Sequence, residues 1–256
     1  MELILEIRKN LDNSVVDSLS LLLEKKRISC IKQKKGENVF SKNIFVFDTE
    51  KKDSIQKVKK SLYKENNSNK FSFIDVSIIN DEFTLIPLEY FDEELAEVFL
   101  NYNVPYSENK GLRYCWVPNF DLAIVFYYPE EIDNYFKDLA DKVRITHTGF
   151  KFLSKIAEKK TDGFHLSIYK EYFELIVINK QKLLIYNVYP YKIMQDILYF
   201  LQVISKKQSI TLSDSTLYYY GNFEKNIDFF SSFLKSLHPG SEKRFELENY
   251  TTLDTI

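Results

Sequence analysis

Between Gly163 and Leu201 the chain reads GFHLSIYKEYFELIVINKQKLLIYNVYPYKIMQDILYFL, three apolar runs parted by two short polar turns and followed by an amphipathic stretch. His165–Tyr169, Tyr172–Ile178 and Leu183–Val188 have strand length and are rich in β-branched and aromatic residues. Lys170-Glu171 and Asn179-Lys180-Gln181 are the turns between them. Tyr191–Lys206, apolar at Ile193, Ile197, Leu198, Leu201 and Ile204, has the period of a helix with one buried stripe. A three-stranded meander that runs straight into a helix leaves few options: the strands pair in one sheet, and the helix covers one of its faces.

A fainter copy lies near the N-terminus. Leu19–Ile31 (LSLLLEKKRISCI) matches Leu166–Ile178 (LSIYKEYFELIVI) without a gap in apolar and polar order, although few residues are identical. Met1–Ile7 precedes it as a strand, Ser18–Leu23 and Arg27–Gln33 form a hairpin, and Asn43–Phe47 is a third strand. Lys51–Lys64 then has Ile55, Val58 and Leu62 on one helical stripe. Beyond the polar loop Glu65–Lys70, Phe71–Ile79 alternates as a strand, and Phe83–Ile86 is a short strand stopped by Pro87. Leu88–Tyr102 reads as a helix, with Asp92, Glu93 and Glu94 at its start, where a helix terminus favours negative charge. Leu112–Val117 and Leu122–Tyr128 are a strand pair, Pro129-Glu130-Glu131 opens a helix, Val143–Thr148 is a strand, and Phe150–Lys160 a helix. After the meander, Thr216–Tyr220 is a strand ending at Gly221. Phe223–Leu237 is expected to be a last helix, stopping before His238-Pro239-Gly240. Two copies of meander, helix and further strand–helix units describe a duplicated α/β architecture.

Composition excludes several functions. In 256 residues the 45% hydrophobic and 16% aromatic content supplies a real core, which argues against disorder. With 35 basic against 37 acidic residues there is no global field to attract a polyanion, so nucleic acid is not an expected partner. Cys30 and Cys115 stand in apolar runs without a metal-ligand spacing, as ordinary buried thiols. The start, MELILEIRKN, has an acid at position 2 and no small-residue cleavage site, which argues against a signal peptide. No apolar run approaches the ~20 residues that span a bilayer. The expected compartment is the cytoplasm, without direct membrane insertion.

FTLIPLEYFDEE at Phe83–Glu94, the hairpin within Tyr172–Leu184, IYNVYPYKIMQDILYFL at Ile185–Leu201 and LYYYGNFEKN at Leu217–Asn226 carry a resemblance over nearly the full length. The order of elements resembles the actin-like ATPase fold, built on duplicated ribonuclease H-like halves, and within it the pilus-assembly and secretion-platform branches. More closely, the chain looks like a family of uncharacterised Bacteroidota proteins, the domain of unknown function 3822. The resemblance implies two mixed β-sheets flanked by helices around a central cleft: a first half over residues 1–160, with an inserted strand–helix region at about 83–128, and a second over 161–256.

In such ATPases the first hairpin of each half holds the nucleotide phosphates, with an Asp followed closely by Gly so that backbone N–H groups approach the phosphates and Mg²⁺ is anchored through water. Here the corresponding turns are Glu24-Lys25-Lys26 and Lys170-Glu171, without Asp or Gly, and the adenosine-side Gly pair is reduced to Gly221-Asn222. The resemblance therefore implies the fold without its usual hydrolysis. The expectation is a non-catalytic protein-binding or scaffolding module, acting on a protein partner or by self-association, with no cofactor. The alternative is a divergent ATPase or kinase that binds ATP and Mg²⁺ through rebuilt phosphate loops.

Other chemistry has little footing. His147, His165 and His238 are scattered without metal-ligand spacing, and Ser205, Ser231 and Ser232 lack a nucleophile-elbow context. The clusters Asp92-Glu93-Glu94 and Glu130-Glu131 are explained by helix termini, and the interleaved basic runs by solvated faces. Asn187 and Asp196, in an apolar strand and an apolar helix, join Lys25, Lys170, Gly221 and Asn222 as weak cleft candidates, although capping or bonding of neighbouring backbone accounts for both. The aromatic cluster Tyr186, Tyr189, Tyr191, Tyr199, Phe200 and Tyr218-Tyr219-Tyr220 is core with an amphipathic rim, or, where exposed, a protein interface.

Overall fold

A computed structural model describes residues 2–9, 18–25, 27–33, 40–46, 56, 58, 60, 70–106, 108, 110–220 and 227–240. Its contacts divide the chain into two compact units, Met1–Trp116 with Ala123–Thr148, and Val117–Leu122 with Gly149–Ile256.

The first unit contains β1 (Glu2–Lys9), β2 (Ser18–Glu24), β3 (Arg27–Gln33), β4 (Phe40–Val46), β5 (Phe71–Ile78) and β6 (Phe83–Pro87). There follow α1 (Ala96–Asn101), β7 (Lys110–Val117), β8 (Leu122–Pro129), α2 (Glu131–Lys137) and β9 (Ala140–His147). The main sheet has the order β1-β4-β3-β2-β5-β9, and β6-β8-β7 form a separate three-stranded sheet. This small sheet and α1 occupy the stretch, about 83–128, read from the sequence as an insertion. The second unit contains α3 (Thr148–Lys159, from Gly149 onward), β10 (Gly163–Ile168), β11 (Tyr172–Asn179) and β12 (Lys182–Pro190). It continues with α4 (Met194–Lys207), β13 (Thr216–Tyr220), α5 (Ile227–Ser231) and β14 (Ser236–Pro239), and its sheet runs β12-β11-β10-β13-β14.

The duplication is visible in the strand order. Counted from β2, the first sheet runs third, second, first, fourth, fifth, with β1 added outside; counted from β10, the second runs the same way. The first three strands of each are antiparallel, and the fourth and fifth are parallel to the first. Inner strands covered on both faces read as near-continuous apolar runs, whatever the direction of their neighbours. Accordingly β11 is buried from Tyr172 to Ile178, and β2 from Leu19 to Glu24.

The pairing shifts the repeat alignment. In the first hairpin Glu24 faces Arg27 across Lys25-Lys26, and in the second Tyr169 donates its N–H to the Tyr172 carbonyl (2.9 Å) across Lys170-Glu171. Lys25 thus corresponds to Lys170, whereas the ungapped match of Leu19 with Leu166 would set it against Tyr172. The slip is two residues, one full strand period, which returns every side chain to its own face and preserves the polarity pattern.

Three elements differ from their expected form. Leu88–Tyr102 is a 3-10 turn at Leu88–Tyr90, an extended Phe91 (φ −77°, ψ 123°) and then α1, because the Asp92 carboxylate accepts the Glu94 N–H (2.8 Å) and draws the chain into a separate turn. α4 starts at Met194, since Ile193 is extended (φ −134°, ψ 162°) and the Asp196 carboxylate caps the helix by accepting the Lys192 and Ile193 N–H groups. The last helix ends at Ser231, and Ser236–Pro239 leaves it to pair in parallel with β13. An edge strand tolerates Pro239, which has no N–H to offer. Of the expected helix Lys51–Lys64, positions 56, 58 and 60 are described as helical, with Val58 buried; its remainder lies outside the described residues, as do Gly221, Asn222 and the tail from Ser241.

The unit boundary falls at Thr148/Gly149, while the sequence placed it at 160/161. α3 goes with the second unit because Phe152 meets the edge of Tyr220 (5.1 Å between centroids) and the Lys159 ammonium lies over the same ring (5.3 Å). The core of that unit joins Phe164, Leu166, Phe173, Leu175 and Val177 of the sheet to Ile197, Leu201 and Ile204 of α4. The inserted sheet has its own small core, Ile86, Val125 and Tyr127 under Ala96, Leu100 and Val104.

Candidate functional site

Lys25 and Lys170 both lie exposed in the first hairpin turn of their unit. The second turn is braced from two sides: the Glu171 carbonyl accepts the Tyr191 N–H, and the Tyr191 hydroxyl donates to the Tyr169 carbonyl (2.6 Å). No residue from 169 to 172 has a positive φ, so the turn lacks the left-handed backbone that a glycine would supply. The Glu171 Oε2 is buried without a hydrogen-bond partner. Beneath the turn, the fully buried Glu174 carboxylate accepts the hydroxyls of Tyr169 (2.7 Å) and Tyr186 (2.8 Å). Gly149 makes room for this group, because a Cβ there would stand 2.2 Å from the Tyr186 hydroxyl.

Tyr191 also brings the start of α4 to this end of the sheet. Asp196 accepts the N–H groups of Lys192 (2.9 Å) and Ile193 (3.1 Å) and closes the first turn of the helix, which holds its carboxyl below the usual range. Asn187 lies farther along β12, opposite Leu175, half-buried, with its side-chain oxygen accepting the Val188 N–H (2.9 Å). Lys170 and Asp196 thus share one end of the second sheet, and Asn187 stands apart from them.

His147 and His165 are fully buried, one in each unit. Each Nε2 faces a carbonyl, of Asn80 (3.2 Å) and Thr161 (2.9 Å) respectively, so each ring must donate there and be protonated on Nε2. Burial pushes both pKa values down to about 4. His165 stacks on Tyr218 (4.9 Å), and Tyr218 in turn meets His238 (5.8 Å). In the first unit the fully buried Asp75 of β5 takes both Nε (3.1 Å) and Nη2 (2.8 Å) of Arg144 on the adjacent β9. Cys30 and Cys115 are buried thiols, and burial raises the second to about 11. Among the described residues no three His, Cys, Asp or Glu side chains converge as metal ligands, and no helix is long and apolar enough to cross a membrane. A pocket of about 340 Å³ in the second unit is lined by Phe120, Ile156, Ala157 and Ile178 together with Asn119, Lys160, Thr161 and Gln181.

The aromatic cluster from Tyr186 to Tyr220 is mostly core. Tyr189 stacks on Phe200 (4.2 Å) and both pack on Phe173, fastening α4 to the sheet; only Tyr199 of that set is largely exposed. Exposed aromatics gather instead in the inserted region, where the sequence points to strands and a helix but not to exposed rings. Tyr90, Tyr102, Tyr106 and Trp116 all face solvent, Tyr102 at 80% and Trp116 at 53% exposure. Leu112, Tyr114 and Trp116 alternate onto one face of β7. Along that face Trp116 leans on Tyr114 (5.9 Å) and Tyr114 on Phe91 (4.9 Å), while the Tyr114 hydroxyl donates to Glu93. Leu95 and Val98, also exposed, precede Tyr102 by seven and four residues, the spacing of one helical stripe. A sequence signal for this surface exists: from Asp81 to Asn109 there are eight acidic residues and no Lys or Arg.

The family described as "Protein of unknown function (DUF3822)" matches residues 7–236. A comparison with curated proteins finds no match. Among solved structures, a Bacteroides thetaiotaomicron protein with actin-like ATPase fold and unknown function is similar at 18% identity, covering 93% of each chain with a TM-score of 0.75. A chain of the PilM-PilN type IV pilus biogenesis complex is similar at 14% identity, covering 88% of each chain with a TM-score of 0.57. These likenesses, with the repeated strand order, show the actin-like ATPase fold.

Proposed function

The chain belongs to the DUF3822 family and has the actin-like ATPase fold, and from that premise we propose that it is a non-catalytic, cytoplasmic binding protein that presents its inserted region to a protein partner. The observation that carries this reading is the ring row Trp116–Tyr114–Phe91 with its solvent-exposed end. Trp and Tyr anchors are what protein interfaces select, because they bury much area while fixing few torsions. A large ring left in water in a chain with ample core is a surface kept for something else.

Two further points support it. The turn that holds phosphates in the ATPases it resembles here carries Glu171, with a carboxylate oxygen lacking a hydrogen-bond partner, so a phosphate placed there would meet a negative charge and no glycine-lined cradle. One solved structure of the same fold is that of a chain in a protein complex, PilM-PilN. The test is a photo-crosslinking amino acid placed at Tyr102 or Trp116 of the full chain in its native cell. A discrete protein adduct that disappears when the crosslinker is moved to Glu130 is expected. The same adducts from all three positions, or none from the first two, would overturn the proposal.

A further inference from the structure

The inserted region differs from the rest of the chain in charge as well as in exposed rings. Whole-chain charges nearly cancel, at a formal net of −2, yet the segment from Asp81 to Asn109 holds Asp81, Glu82, Glu89, Asp92, Glu93, Glu94, Glu97 and Glu108 with no basic residue. All but Glu82 are exposed. Lys110 pairs with Glu82, and Arg113 turns to the opposite face of β7, where it binds Asp133 (2.6 Å) and lies over Tyr128 (5.2 Å). Neither cation therefore compensates the carboxylates around the ring row.

Glu93 binds the Tyr114 hydroxyl inside that row, and Glu94 and Glu97 flank the outward residues Leu95 and Val98. Apolar anchors and carboxylates alternate along the same segment. A surface of this kind attracts a cationic ligand over distance and holds it by ring contact, with the carboxylates setting encounter rate and register and the rings setting lifetime. An acidic or neutral apolar segment would meet repulsion or no steering. A polyanion is excluded by the same charges.

We infer that the occupant of this face is a Lys/Arg-rich amphipathic segment of a partner protein, its apolar side chains seated on Trp116, Tyr114 and the outward stripe of α1, its cations among Glu89, Asp92, Glu93, Glu94 and Glu97. The inference rests on the protein-binding reading above and adds the chemistry of the partner. An amphipathic helix lying along the surface meets both requirements, because its period delivers apolar and basic side chains to separate strips.

Trp116 is the chain's one tryptophan, so its emission reports on this surface directly. The full chain is titrated with a synthetic helical peptide of Leu and Lys in amphipathic order, and with its Leu/Glu counterpart. The Lys peptide is expected to shift Trp116 emission saturably, the Glu peptide to leave it unchanged, and high salt to weaken binding by about tenfold or more. Glu89→Lys with Glu94→Lys is expected to weaken the Lys peptide by about tenfold, whereas Glu130→Lys with Glu131→Lys, a reversal of equal size elsewhere, leaves it unaltered. Circular dichroism and melting establish that each variant is folded. Equal response to both peptides, no response to either, or indifference to the Glu89/Glu94 reversal overturns the inference. If the Lys peptide fails while crosslinking at Tyr102 or Trp116 yields an adduct whose contact segment is not basic, the binding reading stands and the partner chemistry falls. An adduct with a second copy of this chain has the same consequence, and the absence of both peptide binding and adducts removes both proposals.

Discussion

A histidine held neutral by burial makes a fold sensitive to acid, and this protein has one in each unit. His147 and His165 have pKa values lowered by desolvation to about 4, against an unfolded value near 6.5. Between those values the unfolded chain binds more protons than the folded one, so stability is fully present above about pH 6.5 and is lost as pH falls toward about 4. Each ring contributes about 3 kcal/mol to that loss. Melting temperature should fall steeply between pH 6.5 and 4.5, and His165→Gln, which keeps a donor for the Thr161 carbonyl, should make the slope shallower whatever it does at neutral pH. An unchanged slope would show that the ring is not buried neutral. A second residue-scale prediction sets two effects against each other. In an exposed helix Gly→Ala gains about 1 kcal/mol, but an Ala at position 149 must displace the Tyr186 hydroxyl and break its bond to the buried Glu174. The second effect is larger, and Gly149→Ala should cost about 2 kcal/mol in urea unfolding; a stabilised variant would refute this packing. The trio of Tyr169, Tyr186 and Glu174 is not legible in the sequence, because Glu174 in FELIVI looks like a solvent-facing position until the fold buries both faces of β11.

At the scale of elements, strands and their turns were legible because alternation and short polar gaps are local signals; what escaped depended on distant partners. Ser236–Pro239 is a strand only because β13 offers it an open edge, and the break between Pro87 and α1 depends on the Asp92 side chain. The two-residue slip in the repeat alignment escaped for a related reason, since only pairing across the turn fixes the register. The exposed rings of the insert escaped because period tells which residues share a face and not whether that face meets another element. The hairpin between β11 and β12 offers a test of local geometry. Lys180 (φ 50°) and Gln181 (φ 61°) are both left-handed, as a two-residue turn of this type demands, yet neither is glycine. Asp162 holds the turn by accepting both backbone N–H groups (2.8 and 2.9 Å), contacts that survive a change of side chain. Lys180→Asn with Gln181→Gly should therefore stabilise the chain by about 1–2 kcal/mol, raising the melting temperature by a few degrees. A lowered one would mean that the side chains, and not the backbone, hold this turn.

At the scale of the molecule, a duplicated fold that serves ATPases elsewhere raises the question of whether nucleotide still binds, and magnitudes make the answer measurable. A ligand bound with micromolar affinity and supplied at millimolar concentration stabilises the native state by about 4 kcal/mol. For a chain of this size that is roughly 8–16 °C in melting temperature. On the other side, a phosphate oxygen set about 4 Å from the Glu171 carboxylate meets about 4 kcal/mol of repulsion per unit charge at the effective dielectric of a protein surface. That is enough to weaken micromolar affinity to about millimolar unless Mg²⁺ or a cation intervenes. Lys170 in the same turn is one such cation, but its ammonium sits on a flexible stem, and a point charge does not replace a row of backbone N–H groups aimed at one site. Mg-ATP is thus expected to leave the melting temperature of the full chain unchanged, and Glu171→Gly, which removes the carboxylate and frees the backbone, is the variant in which a small rise would first be seen. A rise of several degrees in the unaltered chain would restore the nucleotide-binding alternative and show that its phosphates are held by residues outside this turn.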